Sequence, residues 1–237
     1  MKNPATETEA RISEIFSSLQ GEGTRLGERH LFIRFEECHI HCGYCDELDK
    51  PGRSMHLEEV IQEVLRLDVE EGPHAFISFT GGEPLLYVPF LKSLMPRLKA
   101  KGFRLYLETN GILWKALEEV LQWSDCIAMD MKPASVTKEA NFDADHEQFL
   151  KIARKKEVFV KIILSREIAI PEFEAQLQIV RRIDPDIPVL LVPLSSEIEG
   201  HEDPQLMQMM EELQRRGQRL ISTVRIVPRL HKILKIR

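Results

Sequence analysis

No apolar run in the 237 residues approaches the roughly 20 that a bilayer-spanning helix needs, so a membrane-embedded helical bundle is excluded. The opening stretch, MKNPATETEARISE, lacks the apolar core of a secretory signal, and a cytoplasmic protein is expected. Basic excess is missing as well. With 32 Lys and Arg against 38 Asp and Glu, the formal net charge is -6, and no global positive field is available to hold a nucleic-acid backbone. A small-molecule substrate is therefore expected, with no direct contact to nucleic acid or membrane. Gly/Ser-rich linkers, low-complexity tracts and internal repeats are absent, which favours one domain over residues 1–237. Cysteine is scarce: there are four, three of them within eight residues, too few and too uneven for a disulfide framework. Clustered thiols in a reducing compartment point to metal.

Where the chain is informative, it alternates. From about residue 75 onward, short β-branched apolar runs are followed by longer segments of helical period, the pattern of βα units. Strands are expected at His30–Phe35, Ala75–Phe79, Phe103–Glu108, Cys126–Asp130, Val158–Leu164, Pro188–Pro193 and Thr223–Val227. Their near-continuous apolar character suits strands buried on both faces. Helices are expected at Met55–Val69, with Leu57, Val60, Ile61, Val64 and Leu65 on one stripe, and at Pro171–Ile183, where proline suits the first turn. A third follows Asp203-Pro204 over Gln205–Leu213, and its Met207, Met209 and Met210 read as helix packing. The fold class is α/β with a parallel sheet. In such folds ligands bind at the C-terminal strand edge, where Thr80-Gly81-Gly82-Glu83-Pro84, Thr109-Asn110-Gly111 and Met131-Lys132-Pro133-Ala134-Ser135 stand.

Cys38, Cys42 and Cys45 form C-x3-C-x2-C just after the first of these strands. Three thiolates on one short loop hold three corners of an iron–sulfur cube and leave the fourth iron open to a small molecule. Zinc is the alternative. Closed structural zinc takes four ligands, however, and Cys126 sits in an apolar strand pattern. His39 or His41 would have to fold back from inside the tight loop to supply the fourth. Cys126 reads as a small buried hydrophobe.

The C-x3-C-x2-C loop, with Tyr44 before its third cysteine, resembles the signature of the radical S-adenosylmethionine (SAM) enzymes, and Gly81-Gly82-Glu83 resembles their Gly-Gly-Glu motif. Narrower likenesses surround them: Ile12 through Gly23, with Gln20-Gly21-Glu22-Gly23; Leu31 through Phe35; Asp130-Met131-Lys132-Pro133-Ala134-Ser135; and Val227 through Lys232. Together they resemble the 7-carboxy-7-deazaguanine synthase family, within the radical SAM superfamily. The resemblance implies a partial, open (β/α) barrel, a 4Fe-4S cluster on Cys38, Cys42 and Cys45, and bound SAM. It implies SAM contacts at Tyr44, Gly82, Glu83, Thr109, Asn110, Lys132 and Ser135, and substrate contacts at Gln20, Glu22, Arg34 and Thr80. Arg34 offers a bidentate fork to a carboxylate. Asn110-Gly111 equally suits a plain strand-to-helix turn, and His231 and Lys232 a solvated basic tail. The implied substrate is a pterin, 6-carboxy-5,6,7,8-tetrahydropterin. Reductive cleavage of SAM yields a 5′-deoxyadenosyl radical that takes hydrogen from C6, after which ring contraction and loss of ammonia give 7-carboxy-7-deazaguanine. An electron donor such as flavodoxin and a homodimer are also implied.

Three positions depart from the family pattern. Glu47 stands where a threonine or serine ordinarily supplies a magnesium-ligating hydroxyl, so a magnesium site at Glu47 requires a carboxylate in its place. Val192 stands where an amide is usual, and Arg229 where glutamine is common. A glycyl-radical activase shares the cysteine spacing, but Gln20-Gly21-Glu22-Gly23 and Arg34 argue against it. A non-catalytic zinc module is the alternative of another class.

Overall fold

The computed structural model describes residues 6–45, 50–194 and 203–234. Its strands are β1 (Glu9–Leu19), β2 (Arg29–Phe35), β3 (Arg53–His56), β4 (Phe76–Gly81), β5 (Leu105–Thr109), β6 (Cys126–Met131), β7 (Glu157–Leu164), β8 (Val189–Pro193) and β9 (Val224–Ile226). They form one sheet in the order β3-β1-β2-β4-β5-β6-β7-β8-β9. From β2 through β4 to β9 every pairing is parallel. β1 pairs antiparallel with both β2 and β3. The sheet is therefore largely parallel, as expected, and mixed only at the edge formed by β1 and β3. Because β3 and β9 remain edges, the barrel is open.

The helices are α1 (Leu57–Glu71), α2 (Val88–Ala100), α3 (Trp114–Val120), α4 (Ala134–Thr137), α5 (Asp143–Ala153), α6 (Ile170–Ile183), α7 (Pro204–Gly217) and α8 (Leu230–Leu234). Met55 belongs to β3, and α1 starts at Leu57 because His56 and Glu59 form a reciprocal capping box. In α7, Asp203 caps the first turn by accepting from the backbone N–H of Gln205 and Leu206. Met210 is buried in the core, with Met207 and Met209 packed against it, as helix packing requires. No described helix is long and apolar enough to cross a membrane.

Period-2 alternation gives the two sheet faces different work. Leu31, Ile33, Ile77, Phe79, Leu107, Ile127, Val160 and Ile162 face the helices and join one large core. On the other face Phe76, Tyr106, Cys126, Ala128, Phe159 and Leu190 form a separate apolar layer. Truncating one of its rings, such as Phe159, would cost about 3–5 kcal/mol. Two residues further along β5, β6 and β7 on that same face stand Glu108, Asp130 and Lys161, so the apolar layer is the floor beneath a polar one. Val192 is buried on β8, and Cys126 is the small hydrophobe expected, wholly inside the lower layer.

Candidate active site

Above the polar layer, at the C-terminal ends of β2 and β4 to β7, lies a cavity of about 230 Å³. Its wall includes Cys38, Cys42, Cys45 and Tyr44 together with Gln20, Glu22, Arg34, Lys161 and Arg229. Gln20 and Glu22 reach it because the segment joining β1 to β2 turns back on itself. Gly27 N–H donates to the Gln20 carbonyl at 2.8 Å, and Gln20 N–H to that of Glu28 at 2.8 Å.

The cysteine loop is anchored at several points. Gly43 N–H donates to the Thr137 carbonyl at 3.1 Å, and His41 N–H to Glu139 Oε1 at 2.7 Å. Ile40 and Cys42 are buried against Ile112. Burial pushes the Cys38 thiol up to about 11 and the Cys42 thiol up as well, so a bound cation is what would draw them to thiolate. Cys126 lies in the lower apolar layer, away from this loop, and the His41 side chain is exposed. Among the described residues no three His, Cys, Asp or Glu side chains gather to hold a single metal ion. Three soft thiols lining one cavity are the donor set for an iron–sulfur cluster that keeps one iron open.

Gly81 and Gly82 press the end of β4 onto the root of that loop. Gly81 adopts φ +108, and a Cβ there would fall 2.3 Å from the Phe35 carbonyl oxygen. At Gly82 it would fall 2.1 Å from the Glu37 carbonyl oxygen. Gly82 N–H donates to Phe35 O at 2.9 Å and Glu83 N–H to Glu37 O at 2.7 Å. The glycines thus serve close approach between two stretches of this chain's own backbone.

Glu83, expected to contact SAM, is wholly buried and does not line the cavity. Its carboxylate accepts from Thr109 Oγ1 at 2.8 Å, Asn110 N at 2.9 Å and Leu85 N at 3.0 Å. Burial still pushes it up to about 7. Ser135 is likewise outside the cavity wall: its hydroxyl donates to Glu172 at 2.5 Å and accepts from Ala169 N at 3.0 Å. Thr109, Asn110, Lys132, Gly82 and Thr80 do line the cavity. Asn110 Nδ2 stands 3.9 Å from Cys38 Sγ, and its carbonyl pairs with buried His146 Nε2 at 3.2 Å. Burial lowers His146 to about 4, so this ring is neutral and Nε2 carries the donated proton.

The polar layer is a linked set of charges that motif reading missed. Lys132 Nζ pairs with Asp130 Oδ2 at 2.8 Å, and Lys161 Nζ with Asp130 Oδ1 at 3.1 Å and Glu22 Oε2 at 3.1 Å. Arg229 Nε donates to Glu22 Oε1 at 3.0 Å. Gln20 Nε2 donates to Glu108 Oε1 at 2.9 Å and Thr80 Oγ1 to Glu108 Oε2 at 3.4 Å. Burial alone would raise Asp130, but the two lysines outweigh it and hold it at about 2. For Glu22, Lys161 and Arg229 likewise outweigh burial and lower it. Glu108 goes the other way: burial raises it, and Lys161 and Gln20 offset only part. Arg34 Nη1 donates to Glu14 Oε2 at 3.1 Å, and its guanidinium lies 4.9 Å from the Phe16 ring centroid. Glu47 lies outside the described residues, and so do the side chains of His231 and Lys232.

An open, largely parallel β/α barrel with three thiols at its C-terminal mouth defines a radical SAM enzyme. The radical SAM superfamily model matches residues 32–164. The superfamily implies a 4Fe-4S cluster and SAM, and action on a small molecule is consistent with the cavity. The chain is 34% identical to a 7-carboxy-7-deazaguanine synthase of Geobacter sulfurreducens, over 95% of this chain and 97% of that one. It is 29% identical to one of Methanocaldococcus jannaschii, over 94% of this chain and 98% of that one. Among solved structures, QueE from Escherichia coli superposes with a TM-score of 0.65 at 18% identity, covering 94% of this chain and 95% of that chain. The chain belongs to the 7-carboxy-7-deazaguanine synthase family.

Proposed function

We propose that this enzyme converts 6-carboxy-5,6,7,8-tetrahydropterin to 7-carboxy-7-deazaguanine with loss of ammonia, a carbon–nitrogen lyase step in queuosine and related 7-deazapurine biosynthesis, ahead of any tRNA. One observation carries the reading: Arg34 and Glu22, a guanidinium and an acceptor-only carboxylate, share a cavity with three thiols. A carboxylated pterin needs both groups, one for its carboxylate and one for its paired N–H edge.

When bound, a reduced 4Fe-4S cluster and SAM supply an alkyl radical able to take hydrogen from carbon. Cys38, Cys42 and Cys45 would ligate the cluster. Tyr44, Gly82, Thr109, Asn110 and Lys132 would surround SAM, while Glu83 acts from behind on Thr109-Asn110 and Ser135, through its hydroxyl, ties the Ala134-Ser135 turn to Glu172 and Ala169. Gln20, Glu22, Arg34 and Thr80 orient the pterin. Glu108, whose affinity for a proton is raised by burial, is suited to take the proton lost as the new ring becomes aromatic. Magnesium at Glu47, a flavodoxin-type electron donor and a homodimer complete the proposal. Of the two later departures from the family pattern, Arg229 lines the cavity and Val192 does not, so Arg229 is the one placed to retune recognition.

The test is anaerobic turnover of the reconstituted enzyme with SAM, reductant and 6-carboxytetrahydropterin, with and without magnesium, read by mass. Product at the mass of 7-carboxy-7-deazaguanine supports the reaction, and loss of activity on chelation with recovery on magnesium add-back supports the ion. Cleavage of SAM without product would reject this substrate, and indifference to chelation would remove Glu47 as a ligand.

A further inference from the structure

Lys161 is the lone charge in the apolar run of β7, and its side chain is 7% exposed. Desolvating an ammonium costs several kcal/mol, so it persists only where anions surround it. Three do: Glu22 and Asp130 at 3.1 Å each and Glu108 at 4.0 Å. If β7 needed only packing at this position, an apolar residue would serve. The site instead keeps a cation whose nearest partners include the carboxylate nominated above to meet the pterin.

Glu22 is gripped from two directions. Lys161 Nζ, from the barrel floor, takes Oε2, and Arg229 Nε, from the segment after β9, takes Oε1 at 3.0 Å. Each carboxylate oxygen therefore has its own cation, delivered by elements far apart in the chain. Next to Arg229, Leu230 N–H donates to the Gly21 carbonyl at 2.8 Å, tying the same C-terminal segment to the turn that carries Glu22. Two cations on two oxygens fix both the plane of the carboxylate and its charge. The remaining lone pair on each oxygen still accepts from a ligand.

The geometry points to Lys161 and Arg229 as positioning residues that clamp Glu22 in the orientation needed to accept the paired N–H donors of a pterin edge. The inference rests on the substrate reading above and goes beyond it by assigning these two cations. It also gives the departure at Arg229 a role: where the family commonly has glutamine, whose amide offers a hydrogen bond but no charge, this chain holds Glu22 with a full cation.

The test is equilibrium binding of 6-carboxypterin, the oxidised and unreactive analogue, to cluster-loaded enzyme by pterin fluorescence, together with KM and kcat for the tetrahydro substrate. Lys161→Met should weaken binding and raise KM roughly 10–100-fold, the scale of a charge-assisted hydrogen bond, with a smaller change in kcat. Lys161→Arg should recover most of the loss, and Arg229→Gln should weaken binding several-fold. The deciding readout is a double-mutant cycle: in a Glu22→Gln background Lys161→Met should add almost nothing. Additive losses, or unchanged affinity in Lys161→Met, overturn the clamp while leaving the substrate reading intact. A wild-type enzyme that neither binds 6-carboxypterin nor turns over its tetrahydro form removes the substrate reading and the clamp with it. Should Lys161→Met fail to fold, the cycle of Arg229→Gln with Glu22→Gln decides by the same criteria.

Discussion

Replacing Gly82 by alanine should pry the cysteine loop from the end of β4. The added Cβ would stand 2.1 Å from the Glu37 carbonyl oxygen, 2.4 Å from its carbon and 3.0 Å from Cys38 N. All three are backbone atoms, so no rotamer relieves the clash, and the two segments must part by about 1.3 Å or more to bring the shortest of these to ordinary contact. That movement stretches Gly82 N–H to Phe35 O, now 2.9 Å, and Glu83 N–H to Glu37 O, now 2.7 Å. With buried partners left poorly satisfied, losing the two costs about 2–4 kcal/mol. For a chain of this length, Tm falls by roughly 4–16 °C. Because Cys38 is at the moving root, iron retained after reconstitution should fall too. Gly43→Ala in the same loop is the comparison, since among the described residues its Cβ meets only the Thr137 carbonyl at 3.9 Å. Thermal denaturation by circular dichroism and iron per chain read the effect. If Gly82→Ala keeps the wild-type Tm and full iron, the close approach does not hold the loop.

Three further outcomes are expected. Cys126→Ala should keep the iron content of the wild type and cost only about 1 kcal/mol, because Cys126 packs in the lower apolar layer, whereas Cys42→Ala should lose the cluster; iron loss in Cys126→Ala would make it a ligand. Glu83 is raised from 4.5 to about 7 in the fold, so its stabilising contribution is complete below pH 4.5 and disappears as pH rises through about 7. The stability difference between wild type and Glu83→Gln, measured by denaturant unfolding, should therefore narrow by up to about 3 kcal/mol over that window; a constant difference would contradict a raised carboxyl. Glu108→Gln should lower kcat more than it raises KM, roughly 10²-fold or more if the carboxylate takes the proton; steady-state rates equal to wild type would exclude it.

Much of this was legible in the chain, for physical reasons that also mark where legibility stopped. The parallel strands announce themselves because they are buried on both faces and so run nearly continuously apolar, as in Val158–Leu164. β1 does not, since Glu9–Leu19 mixes half-exposed polar residues with its inward Ala10, Ile12 and Phe16. The cysteine spacing is local chemistry and survives any fold. The burden on Gly81 and Gly82 is not local, because the atoms they make room for belong to Phe35 and Glu37. Glu108, Asp130 and Lys161 are charges on otherwise apolar strands, and alternation puts them on the face opposite the helices, yet motifs alone did not single out Glu108 or Lys161. Which of them meet depends on register: Asp130 opposite Lys161 is a property of the β6–β7 pairing. Ser135 stands in a motif expected to face SAM, yet its hydroxyl is claimed by Glu172 at the start of α6, a contact that motif spacing does not contain.

The central claim is that this cavity delivers hydrogen abstraction to C6 of a carboxylated tetrahydropterin. Its most direct test is anaerobic turnover with substrate deuterated at C6, followed by mass spectrometry. Because substrate and product differ by ammonia alone, the hydrogen taken from C6 is given back before product leaves. The account predicts 7-carboxy-7-deazaguanine with deuterium carried into the 5′-deoxyadenosyl group, read in 5′-deoxyadenosine and in recovered SAM. Unlabelled 5′-deoxyadenosine with the pterin left intact would contradict it, leaving a radical SAM enzyme whose substrate is something else.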